Sequence, residues 1–212
     1  MGKKREQLRR DKEQRILGAA QQLFISRGYR NITFRDIAAQ AGFTRRTIYA
    51  YYPTKEELIM TLHLEGLQER LVVLEKAMAS SKTGLSKIDA FGRAYFRHYQ
   101  AHPDQLLLQV ILDTEKLDHA KISPGLMSRF RQANDLGHEQ LEGALTLGKK
   151  DGTISPDINV KLYFVYLVFT LRAIAKQTLF PALLPVERFG EKFYYDYLKL
   201  LLKALAPDES KI

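Results

Sequence analysis

The sequence predicts an all-α protein in which a set of three short helices precedes a larger helical body. Three observations carry this. Apolar residues recur at intervals of three and four: Ile16, Ala20, Leu23 and Phe24; Met60, Leu64, Leu67, Leu71, Leu74 and Met78; Leu126, Phe130, Ala133, Leu141 and Ala144. No convincing apolar–polar alternation lies between hairpin turns. Positive charge gathers at one end, with 13 Lys and Arg against 6 Asp and Glu in residues 1–60, and 20 against 18 in the other 152.

Composition narrows the function classes. A chain of 212 residues can bury a core without covalent staples. The absence of cysteine excludes disulfides, thiolate catalysis, iron–sulfur clusters and Cys-ligated zinc. Met1 to Arg15 is charged throughout with no apolar stretch directly after it, so no secretory leader is expected. The longest apolar run, Leu162 to Leu171, is closed by Lys161 and Arg172. It has half of the roughly 20 residues a membrane span requires. The expectation is a soluble, cytoplasmic protein with no membrane partner. A basic head on a near-neutral body points to a polyanion, nucleic acid ahead of an anionic membrane.

The first helix is expected over Ile16 to Gly28. Before it, residues 1–10 form a basic extension with Lys3, Lys4, Arg5, Arg9 and Arg10. It reads either as an arm reaching the backbone or minor groove, or as a frayed continuation of the helix. Thr33-Phe-Arg-Asp36 reads as a capping box that opens a helix over Phe34 to Ala41, with Ile37, Ala38 and Ala41 inward. Gly42 follows, where a left-handed residue is needed. Phe43 can plug the turn from inside. Thr44 caps another short helix with Ile48 and Tyr52 inward.

A second capping box, Thr54-Lys-Glu-Glu57, opens a long helix to Met78. Later breaks are expected near Thr83-Gly84, His102-Pro103, His119–Ser123, Asp151–Asp157 and Pro181–Pro185. Ser123-Pro124, Ser155-Pro156-Asp157 and Leu184-Pro185 place proline near a first turn. About nine helices result. The expected domains are residues 1–53, the basic head of short helices; 54–206, the larger helical body; and 207–212, a tail.

Two short helices joined by a glycine turn form a helix-turn-helix, whose second helix enters the major groove of DNA. Its outward face would carry Arg45, Arg46, Thr47, Tyr49 and Tyr51. Arginine there can bond guanine bidentately, while the hydroxyls suit phosphates and the apolar bodies suit thymine methyls. Thr33, Arg35, Thr44 and Lys55 sit at or beside helix starts, where free N–H groups and positive charge favour a phosphate. These nine residues are the candidate DNA contacts.

In register, the segment reads Thr33, Ile37-Ala38, Ala41-Gly42-Phe43, Thr44, Thr47-Ile48-Tyr49, Tyr51-Tyr52, Lys55 and Glu57-Leu58. With Phe24 and Tyr29 of the preceding helix it resembles the N-terminal domain of TetR-family transcriptional regulators. The resemblance covers about residues 10–60, and extends to the rest only as an all-helical body of suitable length. Two positions depart from the family pattern: Arg46 stands where glycine is frequent, and Phe43 is larger than the usual valine. The family's operator sequence therefore does not carry over. The resemblance implies a dimer that binds a near-palindromic DNA operator, a small-molecule effector whose binding weakens that grip, and repression as the default.

The last two expected helices are apolar on more than one face. Over Asn159–Gln177, Val160, Phe164, Leu167, Leu171 and Ile174 form one stripe, and Leu162, Tyr166, Phe169 and Ala173 another. Over Val186–Leu205, Val186, Phe189, Phe193, Tyr197 and Leu200 line one face, with Tyr194, Leu198, Leu201 and Leu205 on a second. One face of each can cover the core; the other requires a partner, so a homodimer is expected. Phe164, Leu167, Leu171, Phe193, Tyr197 and Leu201 are the candidate interface residues. In the resembling family the middle helices enclose an effector pocket. The candidates here are Tyr95, Tyr99, His102, Phe130, His138, Tyr163, Tyr166 and Arg172, with Phe96, His98 and Leu106 beside them. Arg172 could meet an acidic ligand group or pair across a dimer.

Two other classes compete with this reading. His98 and His102 have the spacing of a helical metal pair, but His102 directly precedes Pro103 and no Glu follows His98 as the zinc-protease motif requires. No phosphate-binding glycine loop or nucleophile elbow is present. No enzyme activity, metal or cofactor is expected. A non-specific or architectural DNA-binding protein without an effector is the alternative that net charge alone would permit.

Overall fold

The computed structural model describes residues 2–181 and 188–207. The described residues form nine α-helices and no strand: α1 Gly2–Arg27, α2 Phe34–Ala41, α3 Arg45–Tyr51, α4 Lys55–Ala79, α5 Gly84–Ala101, α6 Pro103–Thr114, α7 Pro124–Asp151, α8 Val160–Leu179 and α9 Glu191–Leu205. Short 3-10 turns occur at Tyr29–Asn31 and His119–Lys121. Two compact units emerge, one of Met1–Gly66 with Asp104–Arg131, the other of Leu67–Pro103 with Gln132–Ile212.

Helix α1 is longer than expected. Its charged first turns lack apolar periodicity but are rich in good helix formers. They also carry spaced partners: Arg10 pairs with Glu6 at 2.6 Å, and Gln7 donates to Asp11 at 2.8 Å. Residues 3–10 are thus the helical continuation rather than an extended arm.

The first unit is built around α1, α2 and α3. Ile16, Ala20, Phe24, Ile37 and Ile48 are buried together with Leu58, Ile59 and Leu62 of α4. Leu108 of α6 joins the same cluster, and Ile111, Leu112 and Leu117 pack against it. Residues 104–131 therefore belong to the head's own core. Polar ties reinforce this: Gln21 to Asp104, Arg30 to Glu115 at 2.6 Å, and the Thr54 hydroxyl donating to the Lys121 carbonyl at 2.7 Å.

In the second unit, α5, α8 and α9 supply the core. Phe96 and Tyr194 stack at 4.2 Å, and the Tyr194 hydroxyl donates to the Gly92 carbonyl at 2.8 Å. Thr83 and Ser86 form a capping box at the start of α5. The free N–H groups of Gly84 and Leu85 donate to Asp151 and Thr153 at 2.7 and 3.1 Å. Gly84 lies so close to Gly148 of α7 that a Cβ would come within 2.2 Å of its Cα, so only glycine fits.

Proline marks the first residue of α6 at Pro103 and of α7 at Pro124. Ser155-Pro156-Asp157 starts no helix; α8 begins at Val160, capped by the Asn159 side chain on the Leu162 N–H. Leu184-Pro185 and Val186 lie outside the described residues.

Candidate nucleic-acid interface and effector site

The helix-turn-helix is locally encoded. The Thr33 hydroxyl accepts from the Asp36 N–H at 3.4 Å, and the Asp36 carboxylate accepts from the Thr33 N–H at 2.9 Å. Those two bonds satisfy donors that an unmarked helix start would leave unpaired. The Thr33 hydroxyl also donates to the Asp36 carboxylate, and this bond first, then the Thr33 N–H, holds the carboxyl below the usual carboxylate range. Gly42 closes α2 in the left-handed conformation at φ 69°, and the Phe43 N–H reaches back to the Ala38 carbonyl at 2.9 Å. Thr44 then caps α3 by accepting from the Thr47 N–H at 3.2 Å.

Arg15 of α1, which sequence reasoning passed over, straps this turn. Its guanidinium donates to the Ala41 carbonyl at 2.9 Å and lies over the Phe43 ring at 4.7 Å. The large Phe43 is thereby explained: its half-buried ring is a platform for a cation.

Arg35, Arg45 and Arg46 are exposed and make no hydrogen bond or ion pair among the described residues. Tyr49 is half exposed and rests edge-on against Phe34, ring centroids 4.8 Å apart. That contact seats the ring against the head while leaving the residue half exposed. Thr33 and Thr44 are exposed caps, and the Thr44 and Thr47 hydroxyls lie 2.9 Å apart. Tyr51 is half-buried against the head core and lines a groove of about 570 Å³ with Arg5, Leu8, Arg9 and Lys12 of α1.

Lys55 is turned inward. Its ammonium donates to the Tyr29 and Ile32 carbonyls at 2.7 and 2.9 Å and sits 4.3 Å from the Tyr29 ring centroid. Burial lowers its pKa. The expected phosphate ligand instead ties the start of α4 to the segment before α2. Spacing gave no hint of this, because the acceptors are main-chain carbonyls.

The effector candidates separate. Tyr95 and Tyr99, one turn apart on α5, are buried with rings 4.9 Å apart. His102 and His138 are exposed, His102 against His98 at 4.9 Å and His138 against Phe164 at 4.5 Å. Phe130 belongs to the first unit, facing His63 at 5.5 Å. Tyr163 is half-buried and touches Tyr166, which is 47% exposed. The Arg172 guanidinium lies 4.9 Å over the Phe169 ring.

Sequence reasoning missed Arg70. It sits on the inward stripe of α4 between Leu67 and Leu74, 7% exposed, with its guanidinium 6.0 and 5.2 Å from the Tyr95 and Tyr99 ring centroids. A charged residue at the helical spacing of that leucine stripe was the available signal.

On α8 the expected interface residues face the wrong way. Phe164, Leu167 and Leu171 are buried in the unit's own core. Leu162, Val165, Tyr166 and Phe169 form the outward stripe, each at least 42% exposed. Both stripes are apolar, and the tighter one went to the core. On α9, Tyr194, Leu198 and Leu205 turn inward. Phe193, Tyr197 and Leu201 remain half exposed beside Leu200 at 64%. No helix among the described residues is long and apolar enough to cross a membrane.

Comparison with known proteins places this geometry. Residues 16–61 match the family model for bacterial regulatory proteins of the tetR family. The transcriptional repressor KstR2 of Rhodococcus jostii is 26% identical over 155 residues, 72% of each chain. The fatty acid metabolism regulator protein of Bacillus subtilis is 24% identical over 155 residues, 73% of this chain and 76% of that one. The crystal structure of the transcriptional regulator FadR from Bacillus subtilis, in complex with stearoyl-CoA, superposes with a TM-score of 0.71 at 20% identity. That alignment covers 91% of this chain and 98% of that one, and it establishes the shared fold. With the capped helix-turn-helix in residues 33–52 and a helical body behind it, the chain is similar to bacterial regulatory proteins of the tetR family in residues 16–61 and shares their fold beyond.

Proposed function

We propose that the chain is an effector-controlled repressor that binds a near-palindromic DNA operator as a homodimer and releases it when a small apolar or amphipathic molecule enters the helical body. One observation carries the DNA half. The Thr44-capped α3 sits on a packed head with Arg45 and Arg46 exposed and unengaged at its first turn, where a recognition helix meets base edges. Arg45 and Arg46 read bases. Thr33, Arg35, Thr47 and Tyr49 hold phosphates, as does Tyr51 beside the basic first turns of α1. Residues 1–53 serve DNA reading, braced by the parts of 54–66 and 104–131 that share their core, and the rest of 54–206 serves effector binding and dimerisation.

Dimerisation rests on the outward stripe of α8 and the half-exposed face of α9, two neighbouring helices. A second copy covers both in a four-helix contact, presenting two recognition helices to one near-palindrome. The effector half is supported by relatives: a repressor by name, and a regulator solved with stearoyl-CoA. The lever is α4, a single helix through which the unit boundary passes. A ligand that prefers a head spacing unsuited to DNA shifts the population away from the operator-bound form.

The test is selection of bound genomic fragments with the purified protein, followed by titration against excess unrelated DNA. A recurring near-palindrome whose binding survives competitor is expected, with Arg45→Ala costing about 1–3 kcal/mol at one base position. Binding that competitor abolishes equally for all sequences would establish an architectural DNA binder instead.

A further inference from the structure

We infer that the first turns of α1 are a second DNA contact, a phosphate clamp in which Arg5, Arg9 and Lys12 grip the backbone beside α3 without reading sequence. This rests on the DNA reading above and deepens it to a binding surface outside the helix-turn-helix.

Spacing sets the three cations on one line. Arg5, Arg9, Lys12, Ile16, Ala19 and Leu23 follow one another at steps of four, three, four, three and four, which keeps them on a single helix face. Ile16, Ala19 and Leu23 are buried in the head core, so this is the face that α1 turns towards the head. Beyond the core the face continues but changes from apolar to cationic. There it meets the end of α3: Arg5, Leu8, Arg9 and Lys12 line a groove of about 570 Å³ with Glu6 and Tyr51.

The cations of this groove have no counter-charge of their own. Arg5, Arg9 and Lys12 are exposed and make no hydrogen bond or ion pair among the described residues. The neighbouring acids are engaged elsewhere. Glu6 pairs with Arg10 at 2.6 Å, Asp11 accepts from Gln7 at 2.8 Å, and Glu13 accepts from the Tyr52 hydroxyl at 3.2 Å. All three acids lie off the cationic line, whereas a helix laced with ion pairs for its own solubility alternates the signs along one face.

The charge pattern and its position identify the occupant. The seven residues from Arg5 to Lys12 rise about 10 Å, a length over which one strand of B-DNA presents about three phosphates. Tyr51 belongs to the same seven-residue helix as Arg45 and Arg46, so the groove adjoins the recognition helix. An anionic membrane fits poorly, because Leu8 is the one apolar residue from Lys3 to Lys12 and an interfacial helix needs an apolar face. The clamp residues precede residues 16–61, so the likeness to the tetR family does not supply this contact.

The experiment uses the full-length protein. Wild type and Arg5→Ala/Arg9→Ala/Lys12→Ala are titrated at several salt concentrations with a fragment selected from genomic DNA, an unrelated duplex, and vesicles of phosphatidylserine in phosphatidylcholine. Alanine is the best helix former, so α1 stays intact, which circular dichroism checks. The slope of log affinity against log salt should flatten by about 0.9 for each phosphate given up, about 2.7 per head. It should flatten alike for both duplexes, leaving the preference between them unchanged. Arg5→Lys/Arg9→Lys retains the charge and should retain the slope. Lys82→Ala/Lys150→Ala/Lys176→Ala takes the same charge from exposed positions of the second unit and should leave the slope unaltered.

An unchanged slope in the α1 variant overturns the inference. So does equal flattening in the second-unit variant, which would make the effect one of net charge. A lost preference between the duplexes would make the three residues base readers, and a larger loss of vesicle binding than of DNA binding would make the face a membrane contact; either overturns the clamp. A flattened slope in a protein that never distinguishes the two duplexes keeps the clamp and defeats the regulator reading. An unchanged slope, with Arg45→Ala still weakening binding at one base position, defeats the clamp and keeps that reading.

Discussion

The guanidinium of Arg15 covers the ring of Phe43 at 4.7 Å while donating to the carbonyl of Ala41 at 2.9 Å, so one side chain of α1 fixes both sides of the helix-turn-helix turn. The cation–ring contact and the hydrogen bond are each worth about 1 kcal/mol at a partly exposed site. Arg15→Ala should therefore destabilise the head by roughly 1–2 kcal/mol. It should also weaken operator binding, because α3 loses its brace. Arg15→Lys keeps the charge but loses the flat stacking surface, and should recover only part of the effect. Thermal melts with operator titrations on the two variants check this; an Arg15→Ala protein with unaltered melting and affinity would show the strap to be idle.

Gly42 makes the same turn intolerant of a side chain. At φ 69° an L-residue is strained, and an added Cβ would lie 3.2 Å from the Arg15 guanidinium. Gly42→Ala should cost about 1–2 kcal/mol from the backbone alone. Asn tolerates the left-handed region better, so Gly42→Asn should melt above Gly42→Ala. The reverse order would place the strain elsewhere.

Local signals made much of this architecture readable, and the misses share a cause. Capping residues, a left-handed glycine and prolines at first turns act within a few residues, so α2, α3 and the starts of α6 and α7 follow from spacing. Long-range choices do not. Whether Phe164 or Phe169 of α8 faces the core depends on α9 and α5, which no periodicity encodes. The inward turn of Lys55 depends on two carbonyls more than 20 residues earlier. Leu108, Ile111 and Leu112 joining the head core depends on how the chain returns after α5. The charged first turns of α1 were legible only as a choice between arm and helix, because an exposed helix needs no apolar face.

Acid should unfold the head partly through Asp36. Its carboxyl is held below the ordinary range, first by the Thr33 hydroxyl and then by the Thr33 N–H. The unfolded chain therefore takes up the proton first as pH falls. The stability this carboxylate contributes is complete above the unfolded value near 4 and is lost as pH drops through the lower folded value. Melting temperatures from pH 7 to 3 should fall less steeply for Asp36→Asn than for wild type, from a lower starting point. Parallel profiles would mean that the capping box does not titrate with folding.

Lys55 and Arg35 should differ in their salt signatures. Every phosphate that a cationic side chain neutralises adds about 0.9 to the steepness of log affinity against log salt. Arg35 is exposed and unengaged, so Arg35→Ala should flatten the slope by about that amount. Lys55 donates to two backbone carbonyls, so Lys55→Met should lower the melting temperature and leave the slope unchanged. Operator titrations at several salt concentrations decide the matter. A slope that flattens for Lys55→Met would return that residue to the DNA face.

The outward stripe of α8 gives the sharpest assembly test. Phe169 is 56% exposed and Leu167, two residues earlier, is 1% exposed, so one helix carries an outward apolar face and a core face side by side. A carboxylate on the outward face is harmless to a folded monomer but is opposed, across a two-fold axis, by its own copy. Phe169→Asp should therefore leave helical content and melting at high dilution near wild type. In sedimentation it should yield a monomer, and its operator affinity should fall steeply because one recognition helix reads only half a site. Leu167→Asp places the same charge in the core and should unfold the body by more than about 3 kcal/mol, in keeping with an unpaired buried ion. A Phe169→Asp protein that remains dimeric and binds operator normally would move the interface away from α8. A Leu167→Asp protein that folds as a monomer would return it to the stripe first expected from the sequence.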